Sequence, residues 1–280
     1  MNRAVRITGA TRLYAIIGDP IAQVRSPEVF SERFAAEGID AILIPVHVPA
    51  SSFDAIVPAL LKLSNIDGVL VTVPFKARMV TFAERLGPTA RTVGAVNALR
   101  READGSWTGD MFDGIGFVRG AEGKGERIRD RRVALFGAGG AGSAIACALA
   151  EAGVKSIDII DTDSAKARIL VGKLQRAFPG CALAAANRIP RGADMVVNAS
   201  PVGMRPDDGL PWEIGPLDPT TLVGDVVITA APTPLIRHAM QCGCNWVDGR
   251  DMHGGQVDAI TAFFASPLRA SIAARASPSS

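Results

Sequence analysis

The sequence predicts an α/β fold with two domains, of which the second is a doubly wound, Rossmann-type nucleotide domain. Residues 133–143 read in succession as an apolar strand, a glycine-rich turn and the start of a helix. Strand-like and helix-like segments alternate on both sides of that run. The chain has 280 residues, 48% of them hydrophobic and 21% charged, which is enough to bury the cores of two domains.

The first part of the chain alternates between strands and helices. Apolar runs bounded by turn residues predict three strands, at residues 14–18, 41–46 and 68–73. A helix should follow the first strand, with Ser26 as its N-cap and Pro27 at its first position. A second helix should span residues 51–62, opened by two serines. Together these segments form one α/β unit.

The remaining elements follow the same reasoning. The glycine-rich stretch 105–125 is predicted to contain the hinge between the domains. Beyond the strand at 133–136, the pattern predicts a strand at 157–160, a helix at 164–178, strands at 195–198 and 222–228, and a helix at 234–241. The chain should end with helices at 256–264 and 267–274 and a disordered tail at 275–280.

The glycine run predicts a dinucleotide site. Gly137 would allow a tight turn, Gly139 would let the backbone approach a pyrophosphate, and Gly142 would permit close packing of helix on sheet. The helix N-terminus would offer N–H groups and a positive dipole to the phosphates. The predicted cofactor contacts here are Gly137, Ala138, Gly139, Gly140, Ala141 and Gly142. The alternative is a turn with a purely structural role.

Asp161 ends the next predicted strand, about 20 residues beyond the glycines, as the dinucleotide motif requires. A carboxylate there can accept both hydroxyls of an adenosine ribose but would repel a 2′-phosphate. We therefore expect NAD to be preferred and NADP to be the less favoured cofactor. In the alternative interpretation Asp161 and Asp163 are solvated loop acids, or Asp163 or Ser164 caps the next helix.

Composition argues against several other classes of partner. The net charge of +2 provides no electrostatic footprint for nucleic acid. No apolar run approaches the ~20 residues of a membrane span, and the N-terminus lacks signal-peptide character, so we expect a cytoplasmic protein. The four cysteines and three histidines lack ligand spacing, so neither a metal site nor a disulfide framework is expected.

Further motifs lie outside the glycine run. Lys76 follows an apolar strand and an aromatic residue, where a lysine can be desolvated and bind its proton less tightly. Six short motifs are spread along the chain: Gly-Asp-Pro-Ile-Ala at 18–22, Thr-Val-Pro-Phe-Lys at 72–76, Gly-Ala-Val-Asn at 94–97, Gly-Asp-Met-Phe-Asp-Gly at 109–114, Asn-Ala-Ser-Pro-Val-Gly-Met at 198–204 and Thr-Pro-Leu at 233–235. In order and over nearly the full length, the chain resembles the shikimate dehydrogenase family.

The resemblance implies an oxidoreductase that transfers hydride between a nicotinamide cofactor and a ring hydroxyl of shikimate, quinate or a related cyclic compound. It implies a substrate domain of residues 1–112 and 249–280 around a dinucleotide domain of residues 113–248. Lys76 and Asp113 map onto the family's proton-transfer pair. Its substrate-binding positions match Ser26, Thr72, Asn97 and Gln256, and its further cofactor-binding positions match Asn198, Ser200 and Gly249.

Departures from the family pattern concentrate at the positions implied to read the substrate carboxylate. Val24 replaces a serine, Ile228 replaces a tyrosine, Leu70 replaces an asparagine, and Met111-Phe112 replaces Asn-Thr. Losing two hydrogen bonds to a charged group would cost roughly 1.5 to 3 kcal/mol each. Arg25 or His253 could replace the lost contacts, although an exposed Arg25 and a capping or core His253 are the plainer interpretations.

Two other functions stay open at this point. A dinucleotide-binding regulator without turnover would tolerate the apolar carboxylate end but would not need Lys76 and Asp113. A methylenetetrahydrofolate dehydrogenase-like enzyme would share the two-domain plan but would need a stacking aromatic residue, which the single tyrosine, Tyr14, makes hard to supply. In each case the partner is a small molecule, and the chain would be a monomer or a homodimer.

Overall fold

A computed structural model describes residues 7–276, and the side chains of residues 7–265. The described residues form two compact units, one of residues 7–111 with 258–276 and the other of residues 112–257. Residues 249–257, which we predicted as part of the substrate domain, therefore lie in the second unit.

The first unit is built on a mixed six-stranded sheet with the order β2-β1-β3-β5-β6-β4. Strands β1, β2 and β3 are parallel, whereas β5 pairs antiparallel with both β3 and β6. The elements are β1 (Arg12–Gly18), α1 (Ser26–Ala36), β2 (Ala41–His47), a 3₁₀ turn (Ala50–Ser52), α2 (Phe53–Leu61), β3 (Ile66–Val71), a second 3₁₀ turn (Arg78–Phe82), β4 (Arg85–Leu86), α3 (Pro88–Val93), β5 (Ala98–Arg101) and β6 (Trp107–Asp110).

Aromatic side chains form the core of the first unit. The ring of Tyr14 on β1 lies 4.7 Å from that of Phe34 on α1 and 4.8 Å from that of Phe264 near the end of the described side chains. A Cβ at Gly68 would lie 2.6 Å from the Tyr14 ring, so a glycine is required where β3 passes beneath it. The last helix is therefore part of this core.

The second unit contains a fully parallel sheet with the order β12-β11-β10-β7-β8-β9. The strands are added outward from β7 to β9 on one side and then from β10 to β12 on the other, so the strand order reverses between β7 and β10. Ligands of doubly wound folds bind at the carboxyl ends of the strands at such a point. The elements are α4 (Asp113–Gly123), β7 (Arg132–Phe136), α5 (Gly140–Glu151), β8 (Ser156–Ile160), α6 (Ser164–Ala177), β9 (Ala182–Ala186), β10 (Met195–Asn198), β11 (Leu222–Asp225), α7 (Pro234–Gln241), β12 (Trp246–Val247) and α8 (Gly249–Ala276).

The predicted α/β class and doubly wound sheet are confirmed, but several element predictions are wrong. The stretch 105–125 contains β6 and α4, and the boundary between the two units falls within it, between residues 111 and 112. Strand β3 ends at Val71 and β11 at Asp225, because the chain turns there into the loops at the sheet edge. Ser26 is the first helical residue of α1, not its N-cap, and neither Arg25 nor Ser52 makes a side-chain cap hydrogen bond.

The two predicted C-terminal helices are one continuous helix, α8. The helix continues through its early glycines. A glycine is required at position 255, because a Cβ there would lie 2.2 Å from the carbonyl oxygen of Gly116 on α4. Close contact between helices explains Gly255, whereas Gly254 faces open space. Residues 275 and 276 of the predicted tail belong to α8, and residues 277–280 lie outside the described residues.

Among the described residues, no helix combines the length and the apolar character that crossing a membrane requires. The same part of the chain contains no group of three or more His, Cys, Asp or Glu side chains arranged to hold a metal ion.

Candidate active site

In the first unit, backbone hydrogen bonds join the segments that follow β1 and β3 and precede β5. Thr72 N–H donates to the carbonyl of Ile17 over 2.9 Å, and Val71 N–H donates to that of Asn97 over 2.8 Å. Val96 N–H donates to the carbonyl of Lys76 over 2.9 Å. Three predicted site residues, Thr72, Lys76 and Asn97, are thereby brought to one edge of the sheet.

Lys76 is held by the aromatic residue before it. Phe75 is fully buried, and its ring lies 4.6 Å from that of Phe53 on α2. Phe75 N–H also donates to the carbonyl of Thr72 over 3.1 Å, which closes a tight turn. Lys76 itself is half-buried. An anchored backbone beneath a partly exposed lysine suits a group that must meet a ligand in a fixed position.

Ser26 and Asn97 are both buried, each 5% exposed. Ser26 begins α1, at the end of the loop that leaves β1, and Asn97 directly precedes β5. Buried polar side chains are retained where hydrogen bonds compensate their loss of water. The burial of Ser26 and Asn97 is compatible with the substrate contacts that we predicted for them and does not test those contacts.

In the second unit, Asp113 and Gln256 lie on two helices that pack closely together. Asp113 is the first residue of α4 and is 2% exposed. Gly116, one turn later, faces α8 so closely that a Cβ there would lie 2.8 Å from the Cβ of Gln256. The glycines of α4 thus bring Gln256 within about a helical turn of Asp113.

The glycine loop has the geometry of a phosphate cradle. Gly137 has φ of +98°, and a Cβ there would lie 2.9 Å from the backbone of Ala199. A Cβ at Gly142 would lie within 2 Å of the Gly137 carbonyl oxygen, so the turn and the helix fit only without side chains. Gly139, the N-cap of α5, faces open space. That opening at a helix N-terminus is where an anionic phosphate would be stabilised.

Asp161 has a different set of contacts from the one we predicted. Its Oδ2 accepts the N–H of Ala138 over 2.7 Å, and its Oδ1 accepts the N–H of Asp163 over 2.8 Å. One carboxylate oxygen therefore holds the glycine loop to the end of β8, and the other closes the turn that leads into α6. Asp163 caps α6 through the N–H of Ala165, as the alternative interpretation proposed. These contacts explain an acid at position 161 without a ribose.

Asn198 fixes the loop after β10. Its Nδ2 donates to the Val202 carbonyl over 2.9 Å and to Asp225 Oδ1 over 3.0 Å. Its Oδ1 accepts from the N–H and the hydroxyl of Ser200. An amide offers two donors and two lone pairs, so this side chain is fully satisfied within the protein. Asn198 is therefore suited to shaping the loop and has no hydrogen-bonding capacity left for a cofactor.

Asp225 is a buried acid that our sequence analysis did not identify. It is 1% exposed at the end of β11, and burial raises its pKa to about 6 despite hydrogen bonds from Thr233, Val227 and Asn198. The negative charge of Asp248 adds to that rise in pKa. The only sequence signal was an acid inside the apolar run that we predicted as a strand at 222–228.

The positions implied to read a carboxylate are apolar or paired. Ile228 is half-buried in a pocket of about 190 Å³ with Thr233 and Trp246, and its Cγ1 would lie 2.6 Å from a Cβ at Gly249. Arg25 Nε donates to Glu28 over 2.7 Å, and its side chain is 55% exposed. Arg25 therefore forms a solvent-exposed ion pair at the start of α1, as the plainer interpretation holds.

A parallel sheet in doubly wound order, with a glycine loop at its switch point, defines a dinucleotide-binding class of protein. Comparisons with known proteins identify the family within that class. A model of the shikimate dehydrogenase substrate-binding domain matches residues 16–99, and a ThiF family model matches residues 115–168. The shikimate dehydrogenase (NADP(+)) of Rhodospirillum rubrum is 34% identical over an alignment of 259 residues that covers 88% of this chain and 89% of that protein.

Solved structures extend the similarity to the fold. Shikimate 5-dehydrogenase from Listeria monocytogenes, in complex with shikimate and NAD, is 30% identical with a TM-score of 0.80, covering 93% of this chain and 92% of its own. The 5-ketofructose reductase of Gluconobacter sp. strain CHM43 is 26% identical with a TM-score of 0.78, covering 91% and 92%. The chain belongs to the shikimate dehydrogenase family of NAD(P)-dependent oxidoreductases.

The predicted preference for NAD is wrong. The Rhodospirillum protein and three further curated relatives, from Symbiobacterium thermophilum, Rubrobacter xylanophilus and Geobacter sulfurreducens, are named as NADP(+)-dependent enzymes. The Asp161 carboxylate accepts hydrogen bonds from two backbone N–H groups, so an acid at this position does not report on the ribose.

Proposed function

We propose that this protein catalyses reversible hydride transfer between NADP and a ring hydroxyl of shikimate or a close cyclic relative. Family membership over nearly the whole chain is the observation that supports this most strongly. When bound, NADP accepts the hydride that leaves the alcohol carbon. The hydroxyl proton must leave as well, so a base is needed within hydrogen-bond reach.

In this proposal Lys76 takes the hydroxyl proton, and Asp113 orients the lysine and stabilises its charged form. Ser26, Thr72, Asn97 and Gln256 bind the substrate through their hydroxyl and amide groups. The glycine loop receives the pyrophosphate, and Ser200, on the loop after β10, and Gly249, at the start of α8, border the nucleotide. The burial of Asp113 and the anchored backbone of Lys76 support these roles, since reacting groups require positions that do not fluctuate.

A second candidate is the reduction of an uncharged keto sugar or cyclic ketone. The apolar Val24 and Ile228 favour it, because a site without donors at these positions gains nothing from a substrate carboxylate. The similarity to the 5-ketofructose reductase of Gluconobacter supports the same direction. The regulator and methylenetetrahydrofolate dehydrogenase alternatives find no support in the comparisons.

A substrate panel tests the proposal and separates its two candidates. Purified protein with NADP would be assayed against shikimate, quinate and uncharged cyclic polyols in the oxidation direction, and against keto sugars in reduction with NADPH. The proposed function predicts saturable turnover of shikimate or quinate. Turnover of uncharged compounds alone would establish the second candidate instead. Substituting NAD for NADP in each assay measures cofactor choice, and we expect the higher kcat/KM with NADP.

Restoring the two missing hydroxyls should strengthen shikimate binding. Val24→Ser and Ile228→Tyr each add a donor to a carboxylate, which stabilises binding by roughly 1.5 to 3 kcal/mol. The KM for shikimate should fall by about one to two decades for each, with partial additivity if both donors reach the same carboxylate. Steady-state kinetics on the single and double variants measure this.

Arg25→Ala is the matched control for those variants. Because Arg25 pairs with Glu28 in solvent, removing it should leave the KM for shikimate unchanged. A large rise in KM would instead make Arg25 the anion contact. If neither restoration changes the KM, then Val24 and Ile228 do not face the carboxylate, and His253 becomes the candidate to test.

A further inference from the structure

One side chain joins the two loops that follow neighbouring strands at the carboxyl edge of the parallel sheet. Asp225 Oδ1 accepts from Asn198 Nδ2 over 3.0 Å and from the N–H of Val227 over 3.1 Å, and its Oδ2 accepts from the Thr233 hydroxyl over 2.6 Å. Asn198 holds loop 199–203, whereas Val227 and Thr233 lie at the two ends of loop 226–233. A single carboxylate therefore sets the relative position of both loops.

The first of these loops borders the glycine turn directly. Ala199 N–H donates to the carbonyl of Phe136 over 2.7 Å, and a Cβ at Gly137 would lie 2.9 Å from the backbone of Ala199 and Ser200. Any shift of loop 199–203 would therefore change the space beside the phosphate cradle. Packing this close leaves no free space between loop 199–203 and the glycine turn.

The second loop is held at both ends and in its middle. Thr233 donates to Asp225 and accepts the N–H of Ile236 over 3.2 Å, so it also caps α7. Arg250, at the start of α8, donates to the carbonyl of Thr229 over 2.7 Å. The loop thus has a defined shape without bound ligand, as a preorganised binding site requires.

A buried carboxylate is a costly way to hold two loops together. Among the described residues that interact with Asp225 none is a cation, and the one charged group that acts on it, Asp248, is also negative. Burial without a cation disfavours the charged form, which is why the pKa of Asp225 rises to about 6 from 3.8. A group that lowers stability at neutral pH is commonly retained for function.

We propose that Asp225 is a positioning residue for the nucleotide, whose three hydrogen bonds hold loops 199–203 and 226–233 in the arrangement that binds NADP. The inference rests on the proposed function only in taking NADP as the ligand. It assigns Asp225 no part in proton transfer. Its effect should therefore appear in nucleotide binding and not in the KM for the second substrate at saturating NADP.

Asp225→Asn provides the test. An amide keeps the acceptor for Asn198 and Val227 but cannot accept from Thr233, so one hydrogen bond to a charged acceptor is lost. The Kd for NADP at pH 8, measured by calorimetry without substrate, should rise about tenfold. Thr233→Ser keeps the hydroxyl and should bind as wild type does. Asp218→Asn, a matched change at an exposed acid, should leave the Kd unchanged.

The pH dependence separates this role from a general loss of structure. Wild-type Asp225 becomes protonated as the pH falls through about 6 and then resembles the amide, so the ratio of the two Kd values should approach one at pH 5. Since its pKa is raised on folding, the charge lowers stability as the pH rises from about 4 to 6. Asp225→Asn should therefore have an equal or higher Tm than wild type at pH 8.

Three results would overturn the inference. Equal Kd values for wild type and Asp225→Asn at pH 8 would show that the carboxylate does not position the nucleotide site. A tenfold rise in Kd accompanied by a fall in Tm would reduce Asp225 to a structural residue. A wild-type protein that binds no NADP would overturn the proposed function and this inference with it, whereas binding without turnover would overturn the proposed function alone.

Discussion

Replacing Lys76 with alanine should lower kcat by about 10² to 10⁴-fold, the usual effect of removing a general acid or base. The side chain is assigned to proton transfer, which is needed only as the hydride leaves, so the loss should appear in kcat and equally in kcat/KM. The Kd for NADP should change little, because Lys76 is assigned to the substrate hydroxyl and the glycine loop to the phosphates of the nucleotide. Steady-state kinetics and calorimetry measure the two quantities.

Lys62→Ala is the matched control, because Lys62 is an exposed lysine that ends α2 in the same unit. Its kinetic constants should equal those of wild type. If Lys76→Ala raised KM and left kcat unchanged, the lysine would bind substrate in ground and transition states alike. The base would then have to be sought among the other polar groups of the site, with Asp113 first.

Alanine at Gly139 should abolish tight NADP binding while the protein stays folded. A Cβ at Gly139 meets no atom within 4 Å, so the methyl group would occupy the space in which we place the pyrophosphate. Losing the close approach of one phosphate should raise the Kd for NADP by about 10²-fold, given about 1.5 to 3 kcal/mol for a hydrogen bond to a charged group. Stability should fall by at most about 1 kcal/mol, the difference between glycine and alanine as N-cap.

Gly142→Ala and Gly172→Ala provide the contrast. The methyl group at Gly142 would overlap the Gly137 carbonyl oxygen, so this variant should unfold at a clearly lower temperature. Gly172 lies on α6 with open space around it, so alanine there should stabilise the helix by about 0.5 to 1 kcal/mol and leave binding unchanged. Normal NADP affinity in Gly139→Ala would place the phosphates elsewhere.

The sequence predicted the doubly wound sheet because its signals are local. The apolar run at β7, the glycine turn and the small-residue helix α5 lie in one continuous segment, and the periodicity of each identifies it. Strand β10 and helix α7 were placed with their observed bounds for the same reason. Such an element can be predicted without its tertiary contacts, because the segment contains both the hydrophobic periodicity and the turn or capping residues that bound it.

Elements that depend on distant contacts were missed. Strand β4 has two residues and β6 has four, too short to show alternation. Helix α4 contains four glycines that argue against a helix locally, but Gly114 packs on the Ala144 carbonyl and Gly116 and Gly120 pack on α8. Packing between helices outweighed the low helix propensity of glycine here. The residues near these glycines in sequence do not indicate that packing.

The two acids at strand ends show the same limit in the candidate site. Asp161 matched a motif position, yet its oxygens accept the backbone N–H groups of Ala138 in the glycine loop and of Asp163 in the turn after β8. Asp225 matched no motif that we recognised, yet it joins Asn198 to Thr233, which are 35 positions apart in the numbering. Residue type and position suggested where acids lie, but only the three-dimensional contacts showed what their oxygens bind.

Isotope labelling can show directly whether the protein transfers hydride from shikimate to NADP. Shikimate labelled with deuterium at the carbon that bears the oxidised hydroxyl would be mixed with NADP and wild-type protein, and the nucleotide product examined by mass spectrometry. We expect NADPH that carries one deuterium, formed by wild type and by Lys62→Ala and about 10² to 10⁴-fold more slowly by Lys76→Ala. Unlabelled product, or labelled product formed equally fast without Lys76, would contradict this expectation.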